Sequence, residues 1–114
     1  MRLCKRSIHA IPILVTQATL ASPTNTEEDR KKIAYGYVGL SHEGILQAYE
    51  KCRQAVLGVA REKKADVLDL LPQLQGKSEL FQDHDHTNPR GSEEVARRIA
   101  NFLDPLLKHN SERR

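Results

Sequence analysis

Residues 41–71 read SHEGILQAYEKCRQAVLGVAREKKADVLDLL, and this stretch decides the fold class. Ile45, Tyr49, Cys52, Val56, Val59 and Ala60 recur at alternating steps of four and three, which predicts one stripe of a helix ending near Lys64. Ser41 is a suitable N-cap because its hydroxyl can accept an orphan amide, and Lys63 and Lys64 complement the negative C-terminal end. Ala65 to Leu71 then carries Val67, Leu68 and Leu70 and reads as a short buried strand that Pro72 prevents from extending into a central ladder. Upstream, Ile11 to Val15 is a continuous apolar run with β-branched members, bounded by Pro12 and by the polar Thr16, Gln17 and Thr19. Such a run suits a parallel strand buried on both faces. Two buried strands bridged by a long helix make a βαβ unit, with parallel strands and a right-handed crossover. The expected class is therefore α/β.

Working outward, residues 1 to 9 read as the last turns of a helix, since Leu3, Cys4 and Ile8 share a face and no start signal precedes them. Ala18 to Asn25 reads as a surface loop, after which Thr26 followed by Glu27, Glu28 and Asp29 caps a short helix through Lys32. Gly36 and Gly39 break the chain. A last helix begins after Asn88, a good N-cap, with Pro89 at its first position and a stripe of Val95, Ile99, Phe102, Leu103 and Leu106. Pro105 is expected to kink or end it, and Asn110 to Arg114 to be a disordered tail, leaving 1–109 as one partial domain.

At 114 residues, with 39% hydrophobic and 29% charged, the chain reads as one soluble globular domain or less, which excludes a multi-domain enzyme. No apolar run approaches the roughly 20 residues of a membrane span. Lys and Arg number 18 against 15 Asp and Glu, and the basic residues are scattered. With three Tyr, two Phe and no Trp there is little to stack on bases, so no nucleic-acid partner is expected. Cys4 and Cys52 fit no metal or redox spacing and read as buried or idle thiols in a reducing compartment. The apolar run after the basic start is too short for a secretory signal, and the default location is cytoplasmic.

The chemistry concentrates in Asp83 to Gly91. Asp83, His84, Asp85 and His86 put four titratable groups in a row before a helix N-terminus, in the kind of loop where α/β folds keep their sites. Residues three apart in a turn can face each other, so Asp83 can accept from a ring nitrogen of His86, fix its tautomer and leave the other nitrogen as a base. Two other readings stand beside this one. The loop can be simply solvated, with Asp83 or Asp85 capping backbone amides. The same four residues can also hold zinc or manganese, although adjacent residues rarely supply three ligands and His9, His42 and His109 lie on other segments. The preferred reading needs no metal and no cofactor.

Candidate nucleophiles are Ser7, Ser22, Ser41, Ser78, Ser92, Ser111 and the cysteines, and none sits in a Gly-x-Ser-x-Gly elbow. A base without a nucleophile does not complete an acyl transfer. Leu80 and Phe81 are placed to anchor the loop by ordinary packing. Gln17 and Thr19 follow the first strand and either approach a substrate or supply loop polarity. Tyr35 and Tyr37 straddle Gly36 as a lid or as plain surface contacts.

Asp66-Val67-Leu68-Asp69-Leu70, the run LFQDHDHTNPRG from Leu80 to Gly91, and Val95, Ala96 and Ile99 resemble the C-terminal block of the SGNH (GDSL-type) hydrolases. That block pairs an Asp with a His three residues on, followed by a polar turn, a Gly five residues after the His, and a helix. Asp83, His86, Gly91 and Ala96 fall at those places, and Ile11 to Gln17 is similar to the family's fourth strand. The resemblance covers roughly residues 3 to 107.

It implies a flavodoxin-like, three-layer α/β/α sandwich with a five-stranded parallel sheet, of which this chain supplies the last two strands. It also implies hydrolysis of an ester by a catalytic Ser, with His86 as general base and Asp83 as its orienter, the oxyanion being held by groups from earlier blocks. The family's Gly-Asp-Ser block, Gly block and Gly-x-Asn block are absent from this sequence, so the chain reads as the C-terminal part of a truncated hydrolase, inactive alone. Its partner would be a small-molecule ester once an N-terminal half completes it. His84 and Asp85 stand where the family has small or apolar residues, and Asp85 is expected to compete for the imidazole or raise its pKa. The alternative, from a different class, is a non-catalytic binding or dimerisation module that buries an open strand edge, a homo-oligomer included.

Overall fold

The computed structural model describes residues 9–112. The helix expected over residues 1 to 9 lies outside that range except for His9, which is non-helical with φ of 54°. Two strands, β1 (Ile13–Val15) and β2 (Asp66–Leu68), pair in parallel with Ile13 opposite Asp66, Leu14 opposite Val67 and Val15 opposite Leu68. Both are shorter than the apolar runs predict. Pro12 has no amide to give a ladder, and after Leu68 the chain turns, Leu70 N donating to Leu68 O at 3.0 Å, into the single turn α4 (Leu71–Leu74) with Pro72 near its start.

Three helices separate the strands: α1 (Glu27–Lys31), α2 (Tyr35–Val38) and α3 (His42–Lys63). Thr26 and Asp29 form a reciprocal capping box at the start of α1, each side chain bonding the other's amide at 3.1 and 3.0 Å. Gly36 lies inside α2, and it is Gly39, at φ of 68°, that ends it. Ser41 caps α3 by accepting the Gly44 amide at 3.0 Å, and Lys64 closes it in the left-handed region.

Beyond β2 and α4 come a 3₁₀ turn, Ser78–Leu80, and then α5 (Pro89–Glu112). Asn88 caps α5 by accepting the Gly91 amide at 2.8 Å. Pro105 does not end this helix. A proline forfeits one main-chain hydrogen bond, and continuing the helix keeps Leu106 on the half-buried stripe with Phe102. The helix runs to Glu112, past the expected start of a disordered tail at Asn110, while Arg113 and Arg114 lie outside the described residues.

The core gathers Ala18, Leu20, Ala21, Ile45, Leu68, Leu70, Leu74, Leu80 and Phe81. α3 packs on both strands, and α5 packs on the 3₁₀ turn and sends Val95, Ile99 and Phe102 against the core. Ala18 to Ser22, expected as surface loop, is buried throughout. Irregular backbone is tolerated there because its polar groups find partners inside: Leu20 N and Thr19 Oγ1 donate to His84 O, and Thr19 O accepts the Gly76 amide. The α3 stripe is buried only in part, with Ile45 and Ala60 inside but Cys52 and Val59 exposed. A two-stranded sheet is too narrow to cover a 22-residue helix. The architecture is mixed α/β around a small parallel sheet, and Val15 at the end of β1 is 41% exposed. Among the described residues, no helix is long and apolar enough to cross a membrane.

Candidate functional site

The loop from Gln82 to Asn88 is closed on itself and fastened from two sides. Phe81 bridges Thr87, Gln82 N donates to His86 O at 2.8 Å, and Asn88 N donates to Leu80 O at 3.0 Å. Leu80 and Phe81 are buried and seat the loop on the core. The His84 carbonyl accepts the Leu20 amide at 3.0 Å and the Thr19 hydroxyl at 2.6 Å. The His84 ring is buried, its Nδ1 accepting the Ala34 amide at 3.4 Å. Tying His84 inward leaves Asp83, Asp85 and His86 toward solvent.

Asp83 Oδ1 accepts the amides of Asp85 at 3.0 Å and His86 at 2.7 Å, an Asx-type turn. The same carboxylate meets the His86 ring, with Nδ1 3.1 Å from Oδ1 and 2.9 Å from Oδ2. A carboxylate only accepts, so Nδ1 carries the hydrogen, and Nε2 has no hydrogen-bond partner among the described residues. The amide-capping role and the ring-orienting role read from the sequence therefore coexist on one side chain. Asp85 Oδ1 lies 3.0 Å from the same Nδ1, so Asp85 does compete for the imidazole.

Burial pushes the Asp83 carboxyl upward, but the amides of Asp85 and His86 and the His86 ring outweigh it and hold it well below the usual carboxylate range. The hydrogen bond that the ring donates to Asp83, then the charges of Asp85 and Asp83, raise the His86 pKa above its ordinary value.

Beside this loop is a cavity of about 460 Å³ between the end of β1 and α5. Val15, Thr16, Gln17 and Ala18 form one wall and Val95, Ala96 and Ile99 the other, with Leu70 and Phe81 between and Asp85, Thr87 and Ser92 as further lining. His86 is not part of the lining; its neighbour Asp85 is. Gln17 is exposed and faces this cavity, whereas Thr19 is fully buried, its hydroxyl donating to His84 O and accepting the Ala21 amide. Tyr35 and Tyr37 form no lid. Tyr35 donates its hydroxyl to His42 Nδ1 at 2.7 Å, His42 Nε2 donates to Ser22 O at 2.9 Å, and Tyr37 stands 92% exposed.

Among the described residues no hydroxyl is hydrogen-bonded to His86; Ser92 Oγ pairs with Thr87 Oγ1 at 2.9 Å instead. Asp83, Asp85 and His86 bring one ligand atom each within 4.8 Å of the others, a set that fits a small cation; His84 is not in that set, although its Nε2 lies 3.8 Å from Asp85 Oδ1.

One group escaped the sequence reading. Thr16 Oγ1 donates to Asp69 Oδ1 at 2.9 Å and accepts the Leu71 amide at 3.0 Å. Arg53 of α3 grips the same Asp69, Nε at 3.0 Å from both oxygens and a terminal nitrogen at 2.6 Å, and holds that carboxyl below the usual range. The signal was available: Thr16 and Asp69 each follow a paired strand and continue its register, which runs from Ile13 opposite Asp66.

Comparison with known proteins finds no family model, no curated protein and no solved structure that matches this chain.

Proposed function

We propose that this chain carries the base and orienting carboxylate of a serine ester hydrolase of the SGNH (GDSL) type, as the last two strands of a three-layer α/β/α sandwich. What supports the reading is the Asp83–His86 pair: a carboxylate on Nδ1 at 2.9 Å, an unoccupied Nε2, and a mostly apolar cavity next to the loop. In this scheme Nε2 takes the proton of a serine hydroxyl as that oxygen attacks an ester carbonyl, and returns it to the departing alcohol. Asp83 stabilises the imidazolium formed between the two steps, and Asp85 adds to its basicity. The hydroxyl and the oxyanion donors come from a Gly-Asp-Ser-bearing segment on a further stretch of chain or a partner.

The test is to supply that segment in trans and follow hydrolysis of a short-chain nitrophenyl ester. His86→Ala should lower the rate by at least about 100-fold, the share typical of a general base. A rate indifferent to His86 overturns the proposal.

A second reading, a non-catalytic dimerisation module, is favoured by the single pairing of β1, with β2, and by the exposure of Val15 and Val59, which line one apolar recess. Sedimentation of a well-folded chain that stays monomeric at high micromolar concentration rejects it.

A further inference from the structure

The cavity beside β1 has one charged lining residue, Asp85, and no Lys or Arg. Its remaining surface is dominated by Val15, Leu70, Phe81, Val95 and Ile99. At about 460 Å³ it is of a size that suits a small molecule. Of the three hydroxyls in the lining, Thr87 and Ser92 satisfy each other at 2.9 Å, and Thr16 is engaged by Asp69 and the Leu71 amide. Asp85 makes its contact with His86 through Oδ1, and Oδ2 has no hydrogen-bond partner among the described residues. Asp83 and Asp85 both contact the His86 ring, and Asp85 Oδ1 also lies 3.8 Å from His84 Nε2. His84 spends its Nδ1 lone pair on the Ala34 amide, so His86 is the ring left to carry a positive charge, and two carboxylates outnumber it. Hydrocarbon walls with one carboxylate whose second oxygen is open complement an amphiphile of opposite charge, whereas an anionic head would meet repulsion there.

We propose that this cavity binds a small aliphatic ammonium compound, its hydrocarbon part against Val15, Leu70, Val95 and Ile99 and its cationic head at Asp85. The inference deepens the hydrolase reading and rests on it for one consequence: the ester would be one whose alcohol carries the ammonium group, placing the scissile bond next to His86.

Titration of the full chain at low ionic strength with hexyltrimethylammonium, hexanol and hexyl sulfate, followed by calorimetry and by the methyl resonances of Val95 and Ile99, tests it. The cation should bind at least about threefold more tightly than the alcohol, the margin of one solvent-accessible ion pair, and the sulfate most weakly. Asp85→Asn should bring the cation down to the level of the alcohol. Ala96→Phe, at an exposed position of α5 that lines the cavity, should abolish binding of all three. Equal affinities for the three probes, an order unchanged in Asp85→Asn, or binding that survives Ala96→Phe overturns the proposal. These readouts need no turnover, so they separate from the hydrolase reading, which stands or falls on His86-dependent ester cleavage.

Discussion

Asp83 Oδ1 accepts the main-chain amide of His86 at 2.7 Å and lies 3.1 Å from Nδ1 of the same residue. A single carboxylate oxygen thus fixes both the backbone origin of the histidine and the face its ring presents. Because the donor and the acceptor belong to one tight turn, the orientation costs little entropy beyond that already spent in folding the loop.

The first expected outcome is a His86 ring that titrates above its ordinary 6.5, raised by the Asp83 hydrogen bond and by the Asp85 charge. The pairing is complete below the ordinary value and is lost as pH rises through the raised one. A reaction that needs the neutral ring therefore gains rate with rising pH and levels off above that raised pKa. Proton NMR of the ring should show the midpoint falling in Asp83→Asn and falling less in Asp85→Asn. An unchanged midpoint in both variants contradicts the geometry.

Thr16→Val should destabilise the fold by about 2–3 kcal/mol, because it strips a hydrogen bond from the Asp69 carboxylate and strands the Leu71 amide in the interior. Thr16→Ser keeps both bonds and should cost about 1 kcal/mol or less, the loss of one methyl. Urea midpoints for the two variants separate the hydroxyl from the bulk of the side chain.

Gly91→Ala should cost about 1–3 kcal/mol, the usual range for forcing extra atoms into a packed site. A Cβ at that position would overlap the Leu80 carbonyl oxygen and approach the Thr87 Cβ to 2.9 Å, neither of which can yield without moving the loop. A half-buried glycine with open space where a Cβ would stand, Gly58, serves as the control, since Gly58→Ala within α3 should be neutral or stabilising.

Much of this was legible because it is local. The capping residues Thr26, Ser41 and Asn88 act within three positions of themselves, the parallel pairing follows from two apolar runs around a periodic helix, and Asp83 reaches His86 inside one turn. What escaped the sequence depends on distant partners. Ala18 to Ser22 has loop composition but is buried, since Asn25 nearby and Gln75, Gly76 and His84, more than fifty residues later, satisfy its polar groups. Cys52 and Val59 fit the helical stripe yet stand exposed, because the width of the sheet, which periodicity does not encode, sets how much of that stripe is covered.

Thr19→Val is the fourth test. Thr19 Oγ1 donates to His84 O and accepts the Ala21 amide at 3.1 Å, so the variant removes both bonds and should cost about 1–3 kcal/mol. The same change should shift the His86 midpoint back toward its ordinary value, as the loop loses one of its two ties to the end of β1. Lost stability with an unmoved midpoint would assign Thr19 to the core alone.

The other tie is the Leu20 amide on the His84 carbonyl, and it gives the loop a built-in reporter. Leu20 is wholly enclosed, so its amide can exchange with deuterium only when the 82–88 segment lifts or the whole chain unfolds. The difference between that exchange rate and the global one measures how often the imidazole loop detaches, from a backbone position 66 residues away from the histidine it monitors.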